Sequence, residues 1–214
     1  PSWAYLYRKM IPVFAGAGLR VVAPDWFGFG RSDKPEDDAW YSFDRHRESM
    51  LHFVEQMDLR NVMLVCQDWG GLLGLTLPQA MPERFTRVLV MNTGLGLGTV
   101  TEGFKRWRDY NNSQPDLAVG KLIQRGTPGM SDAEAAAYDA PFPDIRYKAG
   151  VRAFPNLVPD REDAPGAASL VGAGGGSVSM RSSGVGSSGS TSADTLRCSN
   201  TLPAVRAAGF QVVK

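Results

Sequence analysis

Histidine and cysteine are scarce in this chain of 214 residues, with two of each. Cys66 and Cys198 stand 132 positions apart, which excludes a disulfide framework and any cysteine-based metal centre. No metal and no organic cofactor is expected. No apolar stretch reaches about 18 residues, so no membrane-crossing helix is expected, and no signal peptide is visible. Lys and Arg total 23 against 22 Asp and Glu, a formal charge of +1. Without a basic block, a nucleic-acid partner is excluded on electrostatic grounds. The chain opens Pro1-Ser2-Trp3 without methionine, which suggests an absent upstream segment.

What is present is enough apolar material, 43% of residues, for a substantial core. Trp3, Leu6, Met10, Ile11 and Phe14 recur at helical spacing over residues 3 to 15, with Pro12 expected to bend or shorten that helix. Leu19 to Ala23 reads as a strand running into a glycine-hinged loop, Pro24 to Ser32. Ser42 is the expected N-cap of a helix reaching about Met57. Asn61 to Cys66 reads as a central strand, Gly71 to Ala80 as a helix ended by Pro78, and Phe85 to Met91 as a further strand. This alternation predicts an α/β fold with a mostly parallel sheet covered on both faces. Ligands then bind beyond the carboxyl ends of the strands, where Asp25, Asp68 and Asn92 fall.

From residue 99 to about 163 the pattern is helical, around Gly103 to Tyr110, Leu117 to Arg125 and Ser131 to Tyr138, the last with a Ser131/Glu134 capping box. Composition changes again near residue 164. Residues 172 to 192 hold 7 glycines and 8 serines, with Arg181 their only charge, too little apolar content to offset the entropy of ordering. The expected organisation is a partial core over 1–98, a helical cap over 99–163, and a divergent, disordered tail over 164–214.

The chemistry concentrates in Cys66-Gln67-Asp68-Trp69-Gly70. An apolar strand leads in and a helix opens behind, which places an aspartate on a sharp strand-to-helix turn. A carboxylate displayed there is a candidate covalent nucleophile, needing no proton removed before it attacks. The bland reading is a helix N-cap without chemistry. Gly28 and Gly30 do not complete a nucleotide-binding fingerprint, and Asp25 and Arg31 read as loop structure. Cys66 reads as a small buried residue.

The Asp25-Trp26-Phe27-Gly28-Phe29-Gly30-Arg31-Ser32 stretch, together with Val65-Cys66-Gln67-Asp68-Trp69-Gly70-Gly71, resembles the α/β-hydrolase fold. Within it the chain resembles the haloalkane dehalogenases, in the subgroup that includes the enzyme acting on 1,2-dichloroethane. The likeness runs from Pro1 to about Arg161, through Leu75-Thr76-Leu77-Pro78 and Ala140-Pro141-Phe142-Pro143-Asp144. It implies an α/β-hydrolase fold incomplete at both ends. It also implies hydrolytic dehalogenation of a small apolar halogenated substrate by water, through an ester on Asp68. By the same resemblance Trp69 and Trp107 bind the halide, Phe104 lines the substrate pocket, and Asn92 supports the site. The backbone N–H of Trp69 belongs to the oxyanion hole. Pro1 matches the proline of a His-Gly-Glu-Pro loop, whose glutamate would lie just before it. A soluble, cytoplasmic monomer with a closed cap is expected.

The base is what the sequence lacks. His46 and His52 share one predicted helix upstream of the elbow and read as satisfied or solvated helix residues. Where the family carries a late Ala-Gly-His-Phe, this chain has Ala207-Ala208-Gly209-Phe210. Alkylation of Asp68 is then expected without efficient turnover, and enzyme status is left open. Two alternatives stand beside dehalogenation. One is an epoxide hydrolase using Asp68, with Tyr110, Tyr138 or Tyr147 as proton donor. The other is a catalytically incomplete homologue that binds small apolar molecules.

Overall fold

The computed structural model describes residues 2–94 and 100–170; of the tail expected over 164–214, residues 171–214 lie outside the described residues, as does the junction at 95–99. After a 3-10 turn at Ala4–Tyr7, helix α1 spans Ile11–Gly16 and α2 Phe43–Gln56. Pro12 starts α1 rather than bending a longer helix, because its missing N–H falls in the first turn, where no intrahelical acceptor exists. The Ser42 hydroxyl accepts the Arg45 N–H at 3.2 Å and caps α2 as expected.

Strand β1 (Val62–Gln67) pairs in parallel with β2 (Phe85–Met91), with Val65 opposite Leu89 and Cys66 opposite Val90. Between them run α3 (Trp69–Gly74) and α4 (Thr76–Ala80). Pro78 sits inside α4 rather than ending the helix, again within a first turn whose amides have no helical acceptor. The helical layer comprises α5 (Glu102–Asn112), α6 (Val119–Arg125), α7 (Asp132–Asp139) and α8 (Ala149–Ala153). The Ser131/Glu134 capping box is formed in full.

One strand expected from the sequence is not there. Leu19 to Ala23 is extended but joins no ladder, and the sheet of the described residues has two strands. Its side chains are nonetheless placed: Leu19 and Val21 pack with Phe14, Met63 and Val65, and Val22 packs with Val54, Leu59 and Val62. An apolar run fixes which faces are buried, but a strand also needs a hydrogen-bonding neighbour, and none lies beside it among the described residues.

The main core unites the sheet layer with the helical layer. Phe154, Ala149 and Leu170, each 0% exposed, cluster with Phe29, Phe43, Trp69 and Leu73. Arg152 ties the layers further, donating to Asp38 at 2.7 Å. Arg8 does the same at another seam, donating to Glu134 at 2.6 Å and to the Tyr138 hydroxyl at 3.2 Å.

Candidate active site

Asp68 stands between the end of β1 and the start of α3 with φ +49° and ψ −126°. That left-handed, strained backbone is uncommon for a residue with a Cβ, and it concentrates at functional sites. Four hydrogen bonds hold it. Its N–H donates to the Asn92 carbonyl at 3.2 Å; its carbonyl accepts from Gly71 N at 2.9 Å, from Leu72 N at 3.2 Å and from Thr93 Oγ1 at 2.7 Å. The turn also depends on Gly71, where an added Cβ would lie 2.2 Å from the Thr93 side chain.

The Asp68 residue is exposed and lines two cavities. The larger, of about 690 Å³, is bordered by Trp69, Phe104 and Trp107; the smaller, of about 290 Å³, by Trp69, Asn92, Thr93 and Phe104. All five expected site residues therefore converge on these two spaces. Helix α5 contributes Phe104 and Trp107 to the wall of the larger cavity. Trp69 is 4% exposed, with its ring against Phe154 at 4.7 Å between centroids. Trp107 is half-buried on α5, tilted against Tyr110 at 6.1 Å. Asn92 is exposed and itself left-handed, at φ +41°.

Neither histidine reaches this site. His52 is exposed on α2. His46 is 1% exposed, with Nδ1 2.9 Å from the Ser42 carbonyl and Nε2 3.2 Å from the Phe27 carbonyl. Burial holds its pKa below the usual histidine value. The Phe154 ring packs on His46 at 4.8 Å and on Trp69 at 4.7 Å.

Three residues at the site carry no mark in the sequence. Thr93 braces Asp68, as described. Tyr7 lines the larger cavity, and burial first, then Cys66 and Asp68 nearby, push its phenol up to about 12. Trp3 lines the same cavity with a buried indole N–H that has no acceptor. An isolated threonine after a strand, or aromatic residues on a short 3-10 turn, form no motif to read. Asp25 has the structural role expected of it: its carboxylate accepts from Ala4 N at 2.6 Å and Arg31 N at 3.0 Å. Burial raises the Cys66 thiol to about 12, and the residue is 2% exposed, as expected of an inert buried side chain.

A strand-to-helix elbow presenting a carboxylate beyond a parallel sheet is an α/β-hydrolase arrangement, and the chain belongs to the alpha/beta hydrolase fold family, which matches residues 1–167. Within it the chain is closely related to haloalkane dehalogenases. It is 50% identical over 168 residues to the haloalkane dehalogenase of Psychrobacter cryohalolentis, covering 77% of this chain and 55% of that protein. Haloalkane dehalogenase 1 of Mycobacterium bovis is 45% identical over 168 residues, covering 77% and 56%. The haloalkane dehalogenase DpaA of Paraglaciecola agarilytica NO2, described as tetrameric, superimposes with a TM-score of 0.79 at 47% identity, over 81% of this chain and 58% of that one. The chain thus spans about half the length of the curated relatives it matches.

Proposed function

We propose that this chain carries the nucleophile half of a haloalkane dehalogenase site and forms an alkyl ester on Asp68. The observation that supports this best is the convergence of Asp68, Trp69, Phe104 and Trp107 on one largely apolar cavity. A carboxylate oxygen of Asp68 attacks the carbon bearing the halogen. The C–O bond forms as the carbon–halogen bond breaks, and the halide leaves with the bonding pair. Indole N–H groups of Trp69 and Trp107 donate to the departing anion without competing as nucleophiles. Water then attacks the ester carbonyl carbon, with the Trp69 backbone N–H facing the developing oxyanion.

That second step needs a base to take a proton from water. No histidine lines either cavity among the described residues. The ester accumulates in this chain, and halide is released once per molecule rather than repeatedly. The substrate class is a small haloalkane, with 1,2-dichloroethane as the first compound to test. An epoxide opening needs a proton donor for the departing epoxide oxygen as Asp68 attacks the carbon. Tyr110 and Tyr147 are exposed and line neither cavity, and Tyr138 lines the larger one while its hydroxyl accepts from Arg8. These placements favour halide over epoxide.

The test is incubation with 1,2-dichloroethane or 1-bromobutane, followed by intact-mass and peptide mass spectrometry. One alkyl group on Asp68, absent in Asp68→Asn, supports the reading. Labelling by an epoxide and by no haloalkane replaces it with the epoxide reading. Labelling by neither leaves an apolar-binding homologue.

A further inference from the structure

Helix α5 turns one stripe inward. Its least exposed residues are Phe104, Trp107, Arg108 and Asn111, at the i, i+3, i+4 and i+7 spacing of a single helix face. The stripe changes chemistry halfway along. Phe104 lines both cavities and Trp107 the larger, whereas the following turn carries polar side chains.

That polar turn is bonded to the segment 152–160. Arg108 Nη1 donates to Asp160 Oδ2 at 2.8 Å, and Asn111 Nδ2 donates to the Arg152 carbonyl at 3.3 Å. Asn112 and Asn156 exchange amide hydrogen bonds at 3.0 and 2.9 Å. The same segment carries Val158, 9% exposed, which borders the smaller cavity together with Phe104. Two wall residues of that cavity therefore sit on pieces of chain that these bonds hold to each other.

Arg108 has a second contact. Its guanidinium carbon lies 5.8 Å from the centroid of the Phe104 ring, within reach of a cation–π attraction. The Arg108 and Asp160 side chains are 20% and 28% exposed, so water screens their pair less than it would a fully exposed one. Hydrogen bonding from Arg108 holds the Asp160 carboxyl below its ordinary value and keeps the pair charged at neutral pH. Arg161 also approaches Asp160, at 3.6 Å, but it is 64% exposed and lies nearer Asp163, at 2.9 Å.

We propose that Arg108, anchored by Asp160, is a positioning residue that sets the width of the smaller cavity and so the shape of alkyl group accepted beside Asp68. The guanidinium holds the Phe104 ring as a fixed wall. Without its anchor the ring is free to turn aside, and branched groups enter more readily. At about 290 Å³ the cavity has room for a six-carbon group, since cavities of about 150 Å³ take up benzene. The effect on alkylation rests on the ester reading of Asp68; the effect on binding does not.

The test compares labelling of Asp68 by 1-bromohexane and by neohexyl bromide, which has the same carbon count and a primary reacting carbon. Wild type should favour the linear bromide. In Arg108→Met and in Asp160→Ala the linear-to-branched rate ratio should fall about tenfold, the scale on which apolar pockets discriminate by small alkyl differences. Arg108→Lys, which keeps a cation between Asp160 and Phe104, should stay close to the wild-type ratio, as should Arg161→Ala. A link serving stability alone would slow both bromides equally and leave the ratio unchanged. The unreactive alcohols 1-hexanol and neohexyl alcohol, titrated by ligand-detected NMR, make the same comparison without the chemistry of Asp68, and their Kd ratio should shift the same way. A shift with the alcohols but no labelling by either bromide would keep the positioning role and remove the ester reading. Labelling with unchanged ratios in Arg108→Met and Asp160→Ala would overturn the positioning role and keep the ester. So would a fall in Arg108→Lys as large as in Arg108→Met. Absence of both labelling and saturable alcohol binding in wild type would overturn both.

Discussion

The Thr93 hydroxyl donates a 2.7 Å hydrogen bond to the carbonyl of Asp68, joining the loop after β2 to the turn after β1. The reverse link, Asp68 N–H to the Asn92 carbonyl at 3.2 Å, makes this a two-point brace. Both braced strand ends carry a left-handed residue, Asp68 at φ +49° and Asn92 at φ +41°. Backbone conformations of this kind cost on the order of 1–3 kcal/mol and persist only where the surroundings hold them.

Thr93→Val should therefore loosen the elbow and slow alkylation of Asp68. A lost hydrogen bond of about 1 kcal/mol corresponds to roughly a fivefold to tenfold slower adduct formation. Thr93→Ser, which keeps the hydroxyl, should restore most of the rate. Single-turnover labelling with 1-bromobutane measures both, and equal rates in wild type and Thr93→Val would show that the brace does not position the carboxylate.

The buried imidazole of His46 makes stability depend on pH in a defined direction. Its pKa lies below the ordinary value of 6.5 because burial penalises the charged form. The unfolded chain then binds a proton more readily than the folded one as pH falls below 6.5. Stability is full above that value and declines as pH drops toward the folded pKa. His52 is exposed and serves as the internal comparison. Urea midpoints between pH 7.5 and 5 should fall in wild type and in His52→Gln. The fall should be reduced in His46→Gln, and an unreduced fall would remove His46 as its source.

Glu134 contributes in a lower window. Hydrogen bonding from Arg8 first, then the Ser131 N–H, pulls its pKa from 4.5 down to about 2. A depressed carboxyl stabilises the fold above the unfolded value, and that contribution disappears as pH falls through about 2. This ion pair fastens the segment before α1 to α7. Glu134→Gln should flatten the stability profile between about pH 4.5 and 2 relative to wild type. Limited proteolysis near Arg8 should accelerate in parallel.

Much of this site was legible because local pattern and local geometry agree. Val62 to Val65 followed by Asp68-Trp69-Gly70-Gly71 is a strand, a turn and a helix start in one stretch, and Gly71 is required by the nearness of Thr93. Leu19 to Ala23 shows where the sequence stops informing. Its hydrophobicity states that both faces are covered, and they are, yet a ladder depends on a neighbour that its own residues cannot specify. Pro78 misled for a related reason: a proline stops a helix only where an acceptor awaits its N–H, and none does in a first turn. Thr93, Tyr7 and the Arg8–Glu134 pair were illegible because each acts across long sequence separations, 126 positions in the case of Arg8 and Glu134.

Leu170 tests how far the folded unit extends. Composition places residues 164 onward in the tail, yet Leu170 is 0% exposed in the cluster built around Phe154, and Ala167 is 2% exposed. Gly166 lies so close to Phe43 that an added Cβ would be 2.3 Å from its ring, at a backbone φ of +82°. Leu170→Ala should cost about 2–5 kcal/mol by lost burial and the cavity it leaves. Gly166→Ala should also destabilise, through the strained φ and the contact with Phe43. Urea denaturation of both variants is the measurement. A change below about 0.5 kcal/mol in each, the range of ordinary surface substitutions, would place the end of the packed core before residue 164. A loss of the expected size makes residues 164–170 a strap that closes the aromatic cluster beneath Trp69, coupling the end of the described chain to the residue beside the nucleophile.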